Sequence, residues 1–468
     1  MIRIESIDVL PDDALLEIFG FHLNPPYRCK NDIEEWLLLV HVCRRWRNLV
    51  FGSPRHLNLQ LYCTSKTPTR DKLDIWPTLP LVVMADRGDV TLSPGMDNII
   101  AALGRSNRVC RVHFWNLAGW EQVLAPMYVP FPELTRMSLS SYKTAPVTPP
   151  VISDSFLGGS APRLQYFTLS GITFPGLPHL LLSATHLVEL CLSDIPHSGY
   201  ISPEAMVALL SALSSLRTLT LGFKSPQSRP DLESRSLPPP KHSILPALRS
   251  FMFEGVVEYL EEFVNRIDAP EISTLHATYV NQVDFDFDTL QLVQFINRTP
   301  KLGKRDEAQV KFYSRSASIQ LQYRTSTFDL SDSPITIFCV GPDRQLSSIE
   351  RVCNSPLHSI SMVEDLHIAS YKRPDWKEDA LEIPLWLQLL LPFTAVKKLY
   401  LSREGAPVIA FFLKELVESG ITEVLPSLQN IFVEDLEPGP YQENIRQFVT
   451  ARRLSDPLQV IDCDRYSM

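Results

Sequence analysis

A six-residue apolar pattern that recurs along most of the chain constrains the fold more than any other feature. It reads apolar-x-x-apolar-x-apolar and first occurs at Val109, Val112 and Phe114. The ten copies begin at residues 109, 134, 164, 187, 216, 248, 272, 363, 396 and 428. Apart from one interval of 91 residues, consecutive copies begin 23 to 33 residues apart. Self-similarity at such a period is typical of solenoid proteins, in which each repeat packs on its neighbours.

Prolines and helices complete the repeating unit. A proline stands two residues before five of the copies, as Pro132 does, and its fixed φ angle sets the turn that precedes a strand. Amphipathic helices are predicted between copies over Ile201–Leu213, Gly255–Ile267 and Ala406–Ser419. A short strand followed by a helix resembles the leucine-rich repeat. The predicted fold class is therefore α/β, with strand–helix repeats that form a solenoid with a curved sheet.

The interval between residues 272 and 363 lacks the six-residue pattern. Apolar residues alternate there instead, and the alternating sets are Val310 and Phe312, then Ile319, Leu321 and Tyr323, then Ile335, Ile337 and Cys339. Alternation with period two is the signal of half-buried strands. We expect a strand-rich irregular section at about 300–345 and a helix near Leu346–Cys353.

The first fifty residues predict a small helical unit. Residues 10–22 form an amphipathic stripe in which Pro11 suits the first helical position and acidic residues follow in the first turn. A second helix is predicted from about Ile33 to Val50. Two helices of this length bury little surface alone, so we expect a partner or the rest of the chain to cover their apolar stripe.

These residues resemble the F-box. The matching features are Leu10-Pro11, the helix ending Ile18-Phe19, and a Val-Cys-x-x-Trp-Arg segment at 42–47. The resemblance covers roughly residues 5–60, although the loop 23–32 is long for the family, and the layout is similar to that of fungal F-box proteins. It divides the chain into an F-box-like helical domain at 1–63, a linker and lead-in at 64–105, and a leucine-rich-repeat-like solenoid at 106–468.

The resemblance implies a function in protein recognition. An F-box binds a Skp-type adaptor and so joins a cullin-based ubiquitin ligase, while the repeats bind a protein substrate. The residues that the resemblance assigns to adaptor contact are Leu10, Pro11, Leu15, Ile18, Val42, Cys43 and Trp46, and some of them must pack the interior instead. The middle positions of the repeated pattern would line the substrate-binding surface, and they include Ser138, Thr168, Thr220, His276, His367 and Tyr400.

Charge and hydropathy argue against several other partners. The chain has 44 basic and 53 acidic residues, a net charge of -9, whereas nucleic-acid binding needs a basic face. The most apolar window, 383–393, is far shorter than the roughly 20 residues that cross a bilayer. No secretory signal is visible at the N-terminus. We therefore expect a cytoplasmic or nuclear protein without a membrane or nucleic-acid partner.

The search for catalytic motifs predicts no enzyme, no cofactor and no metal site. Ser140-Ser141-Tyr142-Lys143 has the S-x-x-K spacing without its companion motifs, and the acidic residues in 284–288 lack further ligands. His276 and His367 are expected to be exposed strand residues. Two alternatives stay open, namely a non-catalytic interaction scaffold with no ligase link and a hydrolase within the insertion 273–362.

Overall fold

A computed structural model describes most of the chain. The described residues are 10–23, 36–54, 56–66, 69–75, 79–86, 93–117, 119–141, 150–223, 225, 227–228, 230, 242–280, 289–303, 305–323, 335–340, 345–354, 357, 359–370, 383–434, 440–452 and 459–461. The chain divides into two compact units, unit 1 at 1–187 and unit 2 at 188–468. Neither predicted boundary, at 63 or at 105, coincides with this division.

Unit 1 contains seven described helices and five described parallel strands. The helices are α1 (Asp12–Leu23), α2 (Trp36–Val42), α3 (Arg44–Gly52), α4 (Thr69–Ile75), α5 (Ser93–Leu103), α6 (Trp120–Leu124) and α7 (Leu177–Ser183). The strands are β1 (Leu61–Cys63), β2 (Leu81–Asp86), β3 (Val109–Trp115), β4 (Arg136–Ser140) and β5 (Tyr166–Ser170). Each strand pairs with the next one along the chain.

The repeated pattern sets the strand register in unit 1. Its apolar positions lie opposite one another, so that Met137 faces Val112 on one side and Phe167 on the other, and all three are buried. We call this side of a sheet the core face. Alternate residues of a strand point to opposite faces. The middle positions of the pattern, such as Ser138 and Thr168, therefore share the other side, which we call the open face.

The stretch 64–105, expected as a linker and lead-in, forms part of this sheet. It holds α4, β2 and α5, and β2 pairs with both β1 and β3. Its buried residues Leu81, Val83 and Ala85 alternate without the extra residue of the repeated pattern. A register shift between Leu81 and Val82 accounts for the missing residue and explains why the pattern does not find this strand.

Unit 2 has seven described helices and thirteen described strands. The helices are α8 (Pro203–Leu210), α9 (Val257–Val264), α10 (Leu290–Arg298), α11 (Gln345–Asn354), α12 (Ile383–Leu390), α13 (Ala406–Glu418) and α14 (Pro440–Arg452). The strands are β6 (Glu189–Ser193), β7 (Thr218–Gly222), β8 (Ser243–Ile244), β9 (Ser250–Gly255), β10 (Ile267–Asp268), β11 (Thr274–Tyr279), β12 (Glu307–Phe312), β13 (Ser316–Gln322), β14 (Ile335–Val340), β15 (Asp365–Ser370), β16 (Lys398–Leu401), β17 (Asn430–Glu434) and β18 (Gln459–Ile461).

The main sheet of unit 2 interrupts its parallel order once. Its strands run in the order β6-β7-β9-β11-β14-β13-β12-β15-β16-β17-β18, and β8 pairs separately with β10. β13 is antiparallel to both β12 and β14, whereas the other described pairs are parallel. The predicted strand-rich section is thus a hairpin and a further strand inserted into the repeat array, and the predicted helix follows it as α11.

One helix expectation is wrong. The predicted helix over Ile33–Val50 is divided into α2 and α3, because Cys43 adopts an extended conformation (φ −157°, ψ 171°) and caps α3. Its sulfur accepts a hydrogen bond from the Trp46 amide at 3.4 Å. The three helices predicted between repeats are confirmed as α8, α9 and α13.

The observed architecture is α/β, built on mostly parallel strands with helices between them, as the repeats predict. Across unit 2 the apolar positions of neighbouring repeats again lie opposite one another, as Leu219 does with Phe251, and Leu399 with Ile431. Among the described helices, none is both long and apolar enough to cross a membrane.

Candidate partner-binding surfaces

Contacts between α1 and α3 hold the N-terminal helices together. The rings of Phe19 and Trp46 lie 4.7 Å apart. The Arg45 guanidinium donates to the Leu10 carbonyl at 2.6 Å and forms an ion pair with Asp12 at the same distance. The start of α1, which carries the Leu-Pro pair, is therefore positioned by an arginine of the Val-Cys-x-x-Trp-Arg segment.

Hydrogen bonds and a ring contact join α2 to α3 and to the residue before β1. Arg47 donates to the Val40 carbonyl at 2.9 Å, and the Trp36 indole donates to the Gln60 carbonyl at 3.0 Å, directly before β1. The rings of Trp36 and Phe51 meet edge to face at 5.9 Å. α2 therefore contacts both α3 and the segment that leads into β1.

Each of α1 and α2 leaves apolar side chains uncovered. Leu15, Phe19 and Leu23 form the buried side of α1. Ile18 and Phe21 of α1 and Leu38 and Val42 of α2 are 46% to 78% exposed. Residues three or four apart share one side of a helix, so each helix presents an apolar pair outward. Exposed apolar side chains that cluster in this way often mark interaction sites, whereas single exposed apolar side chains are common on protein surfaces.

The predicted adaptor residues therefore separate into three groups. Pro11, Ile18 and Val42 are exposed, whereas Leu10, Cys43 and Trp46 are half-buried. Leu15 is fully buried and belongs to the interior of this chain. Sequence reasoning missed Phe21 and Leu38, although their helical spacing from Ile18 and Val42 was a usable signal.

In unit 1 the open face carries a basic and aromatic strip. Ser138 and Thr168 are half-buried there and lie directly opposite each other. Arg111 of β3 lies directly opposite Arg136 of β4, and the Arg136 guanidinium stacks over the Tyr166 ring at 4.1 Å. Like charges placed directly opposite on adjacent strands repel. A partner with negative charge would relieve this repulsion.

In unit 2 the open face carries a stack of three rings. His367, Tyr400 and Phe432 occupy equivalent positions on β15, β16 and β17. The His367 and Tyr400 rings are 4.2 Å apart and nearly parallel, and the Tyr400 and Phe432 rings follow at 4.6 Å. All three side chains are half-buried.

The expectation that both histidines are exposed is wrong. The His367 Nε2 atom lies 3.3 Å from the Glu307 carboxylate, which also accepts a bond from Gln322. Glu307 precedes His367 by sixty residues, so local spacing offered no hint of the pair. His276 is half-buried between its neighbours in the sheet, and burial lowers its pKa. Thr220, another predicted surface residue, is half-buried on β7.

The described residues also include parts of the segments that were considered for metal binding or catalysis. Among the described residues, no group of three potential ligands is placed to hold a metal ion. The acidic segment 284–288 lies outside the described residues. Within the insertion, the Ser318 hydroxyl is buried and has no hydrogen-bond partner among the described residues, so this serine is not paired with a base.

Comparison with known proteins does not assign the chain to a family. No protein-family model matches it, and no curated protein does.

Proposed function

We propose that this chain is a substrate-recognition subunit of a Skp–cullin–F-box ubiquitin ligase. One observation carries the proposal: helices with F-box-like residues at F-box-like positions keep Ile18, Phe21, Leu38 and Val42 uncovered. A helical unit this small gains stability by burying such side chains, and a Skp-type adaptor is the partner that the resemblance supplies.

The repeats would form a leucine-rich-repeat-like solenoid whose open face binds the protein substrate. Support comes from the equivalent positions of neighbouring strands, which lie in register, and from the half-buried side chains that this face presents. Aromatic and arginine side chains are frequent anchors of protein interfaces. The ring stack at Tyr400 and the strip at Arg136 are the two places where this face offers them.

In this role the chain performs no chemistry. It would raise the effective concentration of substrate lysines near the enzyme that transfers ubiquitin. A cytoplasmic or nuclear location fits that role and is part of the same proposal. A scaffold that uses the same open face and never meets an adaptor is the competing function.

Affinity purification with quantitative mass spectrometry distinguishes the two functions. The wild-type chain, expressed in eukaryotic cells, is expected to recover a Skp-type adaptor and a cullin. Val42→Glu places a charge on the exposed apolar pair of α2 and is expected to remove at least nine tenths of that recovery. Leu182→Glu, on the exposed side of α7, is the matched control. Equal adaptor recovery with Val42→Glu, or none with the wild type, would overturn the proposal.

A further inference from the structure

Three polar side chains on the neighbouring strands β12, β13 and β14 are buried on the open face of the inserted strands. Lys311 of β12 lies directly opposite Ser318 of β13. Thr336 of β14 lies opposite Gln320, two residues further along β13. All of them occupy strand positions that point away from the core face, whose residues here include Val310 and Ile319.

Lys311 is a buried cation that has no counter-charge among the described residues. Its side chain is almost fully covered, with the residue 5% exposed, and its ammonium donates one hydrogen bond, to the Gln320 amide oxygen at 3.3 Å. Burial lowers the pKa of Lys311 with no opposing contribution from a carboxylate. Glu307, the acidic residue on the same strand, is already engaged by His367 and Gln322. Burying an unpaired ammonium is costly, and natural proteins normally pair such groups.

The hydroxyls beside Lys311 are also unsatisfied. The Ser318 Oγ and Thr336 Oγ1 atoms are buried and have no hydrogen-bond partner among the described residues. A native protein seldom leaves buried polar atoms without partners, and a bound water or ion is one of the explanations for such atoms. Two hydroxyls and an ammonium together offer hydrogen-bond donors to one acceptor-rich group.

The surroundings would strengthen such an interaction. Phe338 lies directly opposite Ser318, and its ring lies 5.5 Å from the Tyr313 ring, which forms an aromatic wall beside the polar atoms. Gln320 and His276, which are both half-buried, lie directly opposite Thr336 on the two strands that flank β14. In a site shielded from water, a charge-assisted hydrogen bond is stronger than in the solvent.

We propose that Lys311, Ser318 and Thr336 form a binding site for an anionic oxygen group, a carboxylate or a phosphate, carried by the protein that the open face recognises. The inference rests on the proposed function for the source of the group but not for the site itself. It assigns the substrate an acidic or phosphorylated side chain at the position that meets the inserted strands.

Thermal unfolding of the full-length chain tests the site with small probes at matched ionic strength. The probes are N-acetylaspartate amide, N-acetylphosphoserine amide and the neutral N-acetylasparagine amide. Saturation by a preferred anionic probe is expected to raise the unfolding midpoint by about 2 to 4 °C. The neutral probe is expected to have no effect, and the stronger of the two anions identifies the substrate group.

Two variants make the test specific. Lys311→Met removes the charge and keeps the side-chain stem, so it is expected to unfold at a higher temperature than the wild type without probe and to lose the response to anions. Lys398→Met, on the open face of β16, is the control and should respond like the wild type. Ser318→Ala is expected to reduce the response without abolishing it.

Two results would overturn the inference: no response of the wild type to either anion, or an unchanged response in Lys311→Met. Recovery of a Skp-type adaptor by the same wild-type preparation separates this failure from a failure of the proposed function. If the adaptor is recovered and no anion binds, the ligase role stands and the anion site does not.

Discussion

At the scale of single residues, burial decides which predicted positions are available to a partner. Leu15 and Ile18 are three residues apart in the same helix, yet the first is fully buried and the second is exposed. A sequence pattern identifies the apolar stripe but not which of its members the chain covers itself. The same pattern predicts one helix that runs through Cys43, whereas the Cys43 sulfur caps the start of α3.

His276 gives the folded chain a predictable acid sensitivity. Burial holds its pKa below the usual value of about 6.5, so the unfolded chain binds a proton more readily. The contribution of neutral His276 to the free energy of unfolding is therefore present above pH 6.5. It is lost as the pH falls through the lower pKa that His276 has in the folded chain. We expect His276→Gln to reduce this acid-induced loss, as measured by the free energy of unfolding at pH 7.5, 6.5 and 5.5.

The size of this effect is small. Because His276 is half-buried, it changes the free energy of unfolding with pH by only a fraction of the maximum for one proton, which is about 1.4 kcal/mol per pH unit. The exposed His186 provides the matched control, because His186→Gln makes the same substitution at a position that the sheet does not bury. A slope in His276→Gln as steep as in the wild type would contradict the prediction.

At the scale of elements, α1 separates a packing role from a binding role on adjacent residues. Phe19→Ala removes a buried ring that packs at a tilt against the Trp46 ring, and we expect it to lower the free energy of unfolding by about 3 to 5 kcal/mol. Ile18→Ala truncates an exposed side chain and is expected to change that free energy by less than about 0.5 kcal/mol. Denaturant unfolding followed by tryptophan fluorescence measures both.

Adaptor recovery then gives the second readout for the same pair. Ile18→Ala is expected to reduce it while the chain stays folded, since the lost contact belongs to the partner. If Ile18→Ala retains full recovery and also leaves stability unchanged, then the exposed side of α1 takes no part in adaptor binding.

The inserted strands show why the repeated pattern failed where it did. β12 pairs in register with β15, so Ala308 and Val310 lie opposite Leu366 and Ile368. The first position of the pattern, held by a leucine or another apolar residue elsewhere, is Arg305 in this repeat. A search for apolar residues cannot find a repeat whose anchor is charged. Alternation with period two still predicted the strands themselves, because it depends only on which face is buried.

Arg305 is buried like the anchors that it replaces. Its guanidinium lies 4.0 Å from the centre of the Tyr323 ring and donates to the Lys301 carbonyl at 2.7 Å, and burial lowers its pKa. We expect Arg305→Ala to cost about 2 kcal/mol or more of unfolding free energy through the lost contacts and the space left behind. Arg305→Leu, which restores the anchor of other repeats, should differ from the wild type by less than about 1 kcal/mol. Urea unfolding compares the two, and an equal loss in both variants would mean that the charge itself is required.

At the scale of the whole molecule, the repeats predicted the class of fold but not its division into two units. The pattern that begins at Leu187 crosses the boundary between residues 187 and 188. A local periodicity predicts that neighbouring strands pack together. It does not predict where the packing is dense enough to form a separate compact unit. The acidic net charge likewise describes the chain as a whole and conceals the basic pair of Arg111 and Arg136.

The proposed adaptor-binding surface belongs to unit 1 and the proposed anion site to unit 2. Whether the two act independently can therefore be tested with one substitution in each unit. Val42 belongs to unit 1 and Lys311 to unit 2. Substitutions without shared contacts are expected to have additive effects. Val42→Glu should therefore abolish adaptor recovery and keep the thermal response to anions, while Lys311→Met should do the reverse. The double variant should lose both properties and unfold at the temperature expected from the sum of the single shifts.

Non-additive effects of the two substitutions would show that the two surfaces are coupled. If Lys311→Met reduced adaptor recovery, or Val42→Glu reduced the anion response, the two surfaces would be coupled by at least the measured difference in free energy. A recruitment subunit that acts by proximity alone needs no such coupling, because binding at one surface only has to hold the substrate near the enzyme bound through the other. Additive behaviour is thus the result that proximity predicts.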